Sequence, residues 1–135
     1  MSFYKALIAY FSTGVIFLII DFAWLAVMNP RFYKPQLAAF MADKVNWLPA
    51  IIFYLLITLG LVVLAVVPAV ERASWLRAII WGGLLGMVAY GTYDLTNLAT
   101  FKNWPLPVTI VDIIWGTFLS AATAAASYFI VKQLY

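Results

Sequence analysis

Four long apolar runs, at about residues 6–27, 48–67, 76–98 and 108–131, most constrain how this chain can fold. Each run has roughly 20 residues or more, which as an α-helix is long enough to cross a hydrocarbon core of about 30 Å. The runs do not alternate between polar and apolar residues, which disfavours transmembrane strands. Hydrophobic residues make up 67% of the chain, outside the range of soluble domains. The pattern predicts an all-α, polytopic membrane protein, with residues 1–135 forming one antiparallel four-transmembrane-helix bundle.

The connections between these runs differ in length. Pro30 and Pro35 are predicted to end the first helix, because proline removes a backbone donor. A long first loop, residues 28–46, would follow and could hold a short helix at the membrane interface. The second and third loops are short, and Pro105 and Pro107 place the start of the fourth helix. With four spans, the termini and the second loop share one side of the membrane, and the first and third loops share the other.

The charged residues favour no soluble partner and only weakly orient the chain. The basic side chains divide equally between the two predicted sides: Lys5, Arg72, Arg77 and Lys132 with the termini, and Arg31, Lys34, Lys44 and Lys102 in the first and third loops. The positive-inside rule is therefore a tie, and the free amino group favours cytoplasmic termini. The net charge of +3 is dispersed, so nucleic-acid binding receives no support. With no cysteine, disulfides and thiolate metal sites are excluded.

Three of the five acidic residues, Asp21, Asp94 and Asp112, lie inside the apolar runs. A carboxylate at the middle of a transmembrane helix costs about 2.5 kcal/mol or more, so it needs a partner, water or a proton. At 1.5 Å per residue, all three lie ~6 to 9 Å inside the membrane, near the face of the first and third loops. They are predicted to form one polar layer, stabilised by a proton, a cation or a basic loop side chain. The basic candidates are Arg31, Lys34 and Lys102.

Aromatic, hydroxyl and amide side chains extend this layer. Most of them lie next to an aspartate in the sequence or three or four residues from an aspartate on the same helix. Tyr54, on the second helix, lies at a similar depth. Because lipid offers no hydrogen bonds, these faces should turn inward. The predicted ligand-binding residues are Asp21, Trp24, Tyr54, Tyr90, Tyr93, Asp94, Asn97, Thr109, Asp112 and Trp115. The three aspartates among them are the candidate catalytic residues.

Small residues fill the other half of two helices. Gly82, Gly83 and Gly86 lie in the third run, and Ser120 and the stretch AATAAAS lie in the fourth. Small side chains let helix backbones approach closely in a membrane. The bundle is therefore predicted to be tight on the side of the termini and wider on the other side. The result would be a tapered cavity with the carboxylates near its mouth.

Several stretches together resemble a bacterial family of small four-helix membrane proteins known as domain of unknown function 2177. They are IDFAWL, WGGLLGMVAYGTYD and YGTYDLTNLATFKNWPLPVTIVDIIWG. The details of the resemblance include Asp21 with Trp24, Asp94 with Asn97, and Asp112 followed by Trp115-Gly116. The resemblance spans nearly the whole chain. It implies the four-helix fold and a place in the bacterial inner (cytoplasmic) membrane, and it implies no activity.

Three function classes remain open. Carboxylates beside aromatic rings suit a pocket for an amphipathic small molecule or lipid. A crowded carboxyl kept neutral could also act as an acid on that ligand, but no nucleophile–base pair supports an enzyme. The second class is proton- or cation-coupled transport by a homodimer, and the third is a structural or accessory subunit. No cofactor can be named and no metal ligand is assigned, although three carboxylates and an amide would suit magnesium or calcium.

Overall fold

Four long helices make up nearly all of the chain, and the computed structural model describes every residue from Met1 to Tyr135. The helices are α1 (Phe3–Leu37), α2 (Trp47–Glu71), α3 (Trp75–Thr100) and α4 (Leu106–Leu134). No strand is present. The all-α class predicted from the apolar runs is therefore confirmed.

Three of these helices, α1, α2 and α4, are long and apolar enough to cross a membrane. The third predicted span is different. The α3 helix has a comparable length of 26 residues, but it is not among the candidates, because glycine, threonine and tyrosine replace much of the aliphatic content found in the others. Its glycines Gly82, Gly83 and Gly86 are buried, so this helix contributes packing surface rather than bulk hydrophobicity.

The α1 helix is longer than predicted, because Pro30 and Pro35 do not end it. The chain widens into a π-helical turn at Asn29–Tyr33 and then continues as α-helix to Leu37. The backbone N–H of Lys34 donates to the carbonyl of Asn29, five residues back. Proline disrupts the i to i−4 backbone hydrogen bonds of an α-helix. A π-helical turn uses a different hydrogen-bond spacing, so the helix can continue through this segment. The first loop therefore shortens from the predicted residues 28–46 to residues 38–46.

The α2–α3 and α3–α4 connections are short, as the sequence predicts. The first turns at Arg72 to Ser74, and the Ser74 Oγ accepts a 3.2 Å hydrogen bond from the Arg77 N–H to cap α3. Ala73 and Asn103, one in each connection, adopt left-handed φ values of 49° and 60°. This conformation is uncommon outside glycine and reverses the chain within a few residues. Each connection thus places the helices before and after it side by side.

Small residues bring α3 and α4 together closely, as predicted. Gly82 lies against Ala124, and a Cβ atom added at Gly82 would come within 2.6 Å of the Ala124 Cβ. Gly86 lies against Ser120 and the backbone carbonyl of Gly116. These contacts occur in opposite orders along the two helices. The two helices therefore run in opposite directions and pack closely along a long interface.

The buried apolar residues form two clusters on either side of the polar layer. The larger cluster includes Phe17 and Leu119, and the smaller one includes Tyr33 and Val108. Asp21 on α1 and Asp112 on α4 lie between the residues of these two clusters. Their carboxyl groups are consequently separated from both ends of the bundle by packed side chains.

Candidate functional site

Asp21 joins three helices. It lies on α1 and is only 6% exposed. The hydroxyl of Tyr54, on α2, donates to Asp21 Oδ2 at 2.7 Å, and the indole N–H of Trp115, on α4, donates to Oδ1 at 3.1 Å. Each carboxyl oxygen therefore has a donor from a different helix. Buried polar groups are normally satisfied in this way, and here neutral donors do so.

A second chain of hydrogen bonds connects the end of α1 to α4. The indole N–H of Trp24 donates to the Tyr33 hydroxyl at 3.1 Å, and this hydroxyl donates to Asp112 Oδ1 at 2.9 Å. Trp24 also stacks on Trp115, with ring centroids 4.1 Å apart and planes inclined by 7°. The stacked indoles place the donors to Asp21 and Tyr33 next to each other. The two aspartates thus belong to one connected aromatic network.

Asp94, on α3, has a different environment. It is 0% exposed, and neither of its carboxyl oxygens accepts a hydrogen bond from a donor side chain. The Asp112 carboxyl, on α4, is close enough to interact with it. Two carboxylates have no hydrogen to share, so a bond between them requires a proton on one. The Asp94–Asp112 pair can therefore be hydrogen-bonded only when it carries at least one proton.

Thr109 stabilises the α3–α4 turn. Its hydroxyl accepts a 3.1 Å hydrogen bond from the indole N–H of Trp104, and it lies 3.4 Å from the backbone carbonyl of Asp94. Both Trp104 and Thr109 are buried. These contacts hold the backbone around Asp94 against the start of α4, and they leave no free Thr109 hydroxyl for a ligand.

A groove of about 740 Å³ lies between the start of α2 and the end of α3, and we name it the α2–α3 groove. Its lining residues are Pro49, Ala50, Phe53, Ala89, Tyr90, Thr92, Tyr93, Thr96 and Asp112. The hydroxyls of Thr92 and Thr96 bond to carbonyls of their own helix. Asp112 is the only aspartate in the lining, so it supplies the carboxyl group of an otherwise largely apolar and aromatic surface.

The structure distributes the ten predicted site residues over two adjoining sets. The first set surrounds Asp21 and contains Trp24, Tyr54 and Trp115. The second lies at or behind the α2–α3 groove and contains Tyr90, Tyr93, Asp94, Asn97 and Asp112, with the Asn97 side chain beside Tyr93. Thr109 belongs to the turn instead.

The structure does not contain the predicted tapered cavity with three carboxylates at its mouth. Asp21 and Asp94 are buried against other side chains, and only Asp112 is partly exposed. The three do not form a group that could hold a metal ion. The aromatic side chains pack into the space that a cavity would occupy, and their hydroxyl and indole groups bond directly to the carboxylates.

Basic side chains do not reach the aspartates. Arg31, Lys34 and Lys102 were candidates to neutralise them, but all three side chains are exposed. The donors to Asp21 and Asp112 are instead tyrosine and tryptophan. The site therefore has three carboxyl groups and no protein cation bonded to them.

Tyr33 is a site residue that the sequence pattern did not indicate, because Pro30 and Pro35 suggested a loop there. A weak signal was present: Tyr33 and Leu37 are four residues apart, and both are buried. This spacing is typical of one helical face. A helix continued through the prolines would have brought Tyr33 to the inner surface.

We expect Tyr33→Phe to lower the free energy of unfolding by about 1–2 kcal/mol, because Asp112 loses its donor and the Trp24 indole loses its acceptor. Unfolding in mixed detergent micelles, followed by tryptophan fluorescence, would measure this change. Tyr4→Phe is the matched control, since Tyr4 is 72% exposed. Equal effects of the two variants would contradict a bonded role for the Tyr33 hydroxyl.

Comparison with known proteins identifies a family. A family model described as "Predicted membrane protein (DUF2177)" covers residues 6–129, which includes every predicted site residue. No curated protein and no solved structure matches the chain.

Proposed function

Because the chain belongs to the predicted membrane protein family DUF2177, we propose that it works within the bacterial inner membrane as an antiparallel bundle of four transmembrane helices. Three helices are long and apolar enough to span a membrane by themselves. The α3 helix is about 39 Å long, which is also sufficient to cross the hydrocarbon core. Leu84, Val88 and Leu95 on α3 are exposed, which suits contact with lipid. The proposed orientation places both termini in the cytoplasm.

The proposed function is binding of an amphipathic small molecule or a lipid in the α2–α3 groove. The observation that carries this proposal is the partly exposed carboxyl group of Asp112 in a groove walled by apolar and aromatic side chains. A groove between two spans would open sideways into the bilayer, so a ligand could enter without leaving the lipid phase. Its apolar body would contact Phe53 and Ala89, and its polar head would contact Asp112.

Chemical modification of the ligand would depend on the carboxyl pair. Asp94 and Asp112 are the carboxyl groups next to the groove, so one of them would act as the acid or base. The groove lining contains no cysteine, serine or lysine that could serve as a nucleophile. The arrangement supports ligand binding more directly than it supports catalysis.

Two other functions receive support from single features. Proton- or cation-coupled transport, by a homodimer, is supported by the Asp94–Asp112 pair, since carboxyls in membranes often bind protons. A structural or accessory role is supported by Asp21, because its two hydrogen bonds already link three helices without a ligand. Neither feature explains why Asp112 lines a groove, so both rank below ligand binding.

Native mass spectrometry tests the binding proposal. The protein would be extracted with its surrounding lipid in polymer nanodiscs and then released into the gas phase. We expect a bound species on the unmodified chain and at least a tenfold lower bound fraction for Thr92→Trp, which fills the groove. Val88→Trp is the control, because Val88 is exposed on the same helix but does not line the groove. Equal occupancy in both variants would reject the groove as the binding site.

A further inference from the structure

The geometry points to a more specific role for the Asp94–Asp112 pair, one that rests on the binding function proposed above. The pair holds one proton and releases it when the ammonium headgroup of a cationic amphiphile binds in the α2–α3 groove. This role identifies the chemical class of the ligand and the protein group that recognises it.

The first step concerns the proton. Asp94 is fully buried and has no donor, and burial of an ionised carboxylate without a partner is strongly unfavourable. The neighbouring group, Asp112, is also a carboxyl, so ionising both would add charge repulsion to the cost of burial. One proton shared by the two groups replaces charge repulsion with a hydrogen bond, as it does in other paired carboxyl sites.

The second step concerns the remaining negative charge. Asp112 accepts the Tyr33 hydroxyl hydrogen bond and lines the groove, so it is the member of the pair that a ligand can reach. The titratable groups around the pair are Asp21 and Tyr33 from α1, Tyr54 from α2, and Tyr90 and Tyr93 from α3. All of them are acids or phenols. A cation at Asp112 must therefore come from a ligand.

The third step concerns the headgroup. The rings of Phe53, Tyr90 and Tyr93 line the groove together with Asp112. Phe53 and Tyr90 meet edge to face, with centroids 6.1 Å apart. Aromatic faces attract ammonium groups, especially where water is excluded, and the carboxylate adds a full opposite charge. An anionic head would be repelled by the same groups, and a neutral hydroxyl would not compensate a second ionised carboxyl.

The exchange balances in charge. Before binding, the pair carries one proton and a net charge of −1. When the ammonium ion enters, the proton leaves for water, both carboxyls become ionised, and the pair with its ligand again carries −1. The buried charge is thus the same in the free and bound states. Proton and ligand compete for one site, so affinity for the ligand should rise with pH until the free pair has lost its proton.

Isothermal titration calorimetry of the purified full chain in dodecyl maltoside tests this inference, with decylammonium as the probe. We expect the affinity to rise about tenfold per pH unit while the free pair retains its proton, with about one proton released per molecule bound. Comparison of two buffers with different ionisation enthalpies counts the protons. Asp94→Asn should abolish both the proton release and the pH dependence, and Asp112→Asn should weaken binding at least tenfold. Asp43→Asn, in the exposed loop, should match the unmodified chain.

Three comparisons separate the possible failures. Decanol that binds as tightly as decylammonium would overturn the cation exchange and leave the groove function intact. Butylammonium that binds as tightly would overturn the amphiphile class in favour of a small soluble amine. If neither ten-carbon probe binds the unmodified chain, the proposed function fails together with this inference. These comparisons use the unmodified chain, so they remain decisive even if an aspartate variant does not fold.

Discussion

Gly86→Ala should destabilise the bundle by about 2–3 kcal/mol, a cost typical of a severely overpacked core. A methyl group at this position would collide with the backbone carbonyl of Gly116 and with the side chain of Ser120. The carbonyl belongs to the α4 backbone and cannot rotate away as a flexible side chain could. The α3 and α4 helices would have to separate, and their contacts along the rest of the interface would weaken.

The matched variant is Gly91→Ala, on the same helix and also buried. A methyl group there would meet only the Leu95 Cδ1 atom, at 3.9 Å. Alanine is favoured over glycine within helices by about 0.5–1 kcal/mol, so this variant should be slightly more stable. Reversible unfolding by sodium dodecyl sulfate in mixed micelles would measure both free energies. Equal destabilisation by the two substitutions would contradict the close α3–α4 approach at Gly86.

Asp21→Ala should lower the free energy of unfolding by about 2–4 kcal/mol, because it leaves two buried donors without an acceptor. The Tyr54 hydroxyl and the Trp115 indole N–H both bond to this carboxylate. The loss should also loosen the association of α1 with its neighbours. Increased protease or crosslinker access to the α1–α2 connection would report that change.

Asp21→Asn separates the hydrogen bonds from the charge. The amide oxygen can accept from Trp115, and the amide nitrogen can donate to the Tyr54 hydroxyl, which accepts as well as donates. This variant should therefore be within about 1 kcal/mol of the unmodified protein. In the double variant Asp21→Ala with Tyr54→Phe, the removal of both partners should recover part of the loss, as a thermodynamic cycle would detect. Stability losses that simply add would indicate that Asp21 and Tyr54 do not interact.

The apolar runs predicted the helices well because each helix in a membrane satisfies its own backbone hydrogen bonds. The boundaries of α3 and α4 differ from the predicted ones by a few residues at most. The predicted end of α1 was wrong. Pro30 and Pro35 interrupt an ordinary α-helix, but the π-helical turn at Asn29–Tyr33 accommodates them. A change in hydrogen-bond spacing of this kind leaves no clear mark in residue composition.

Sequence spacing identified several neighbours of the aspartates but missed Tyr33, and it did not identify the hydrogen-bond pairing. Helical spacing predicted that Trp24 lies next to Asp21 and Trp115 next to Asp112, since residues three apart share a face. In the structure, however, Trp115 donates to Asp21, while Trp24 reaches Asp112 only through Tyr33. The partners are exchanged between helices. Sequence spacing describes one helix at a time, and so it could not reveal this exchange.

The sequence by itself determined that this chain would be helical, suited to a membrane and provided with three carboxyl groups inside its apolar runs. Hydrophobicity and the cost of charge in hydrocarbon act on each segment separately, so these features can be read locally. Only the tertiary structure decided that Asp21 is satisfied by Tyr54 and Trp115, while Asp94 is buried without a donor. The rotation and register of four packed helices decide those distances, and they depend on contacts between residues far apart in the chain.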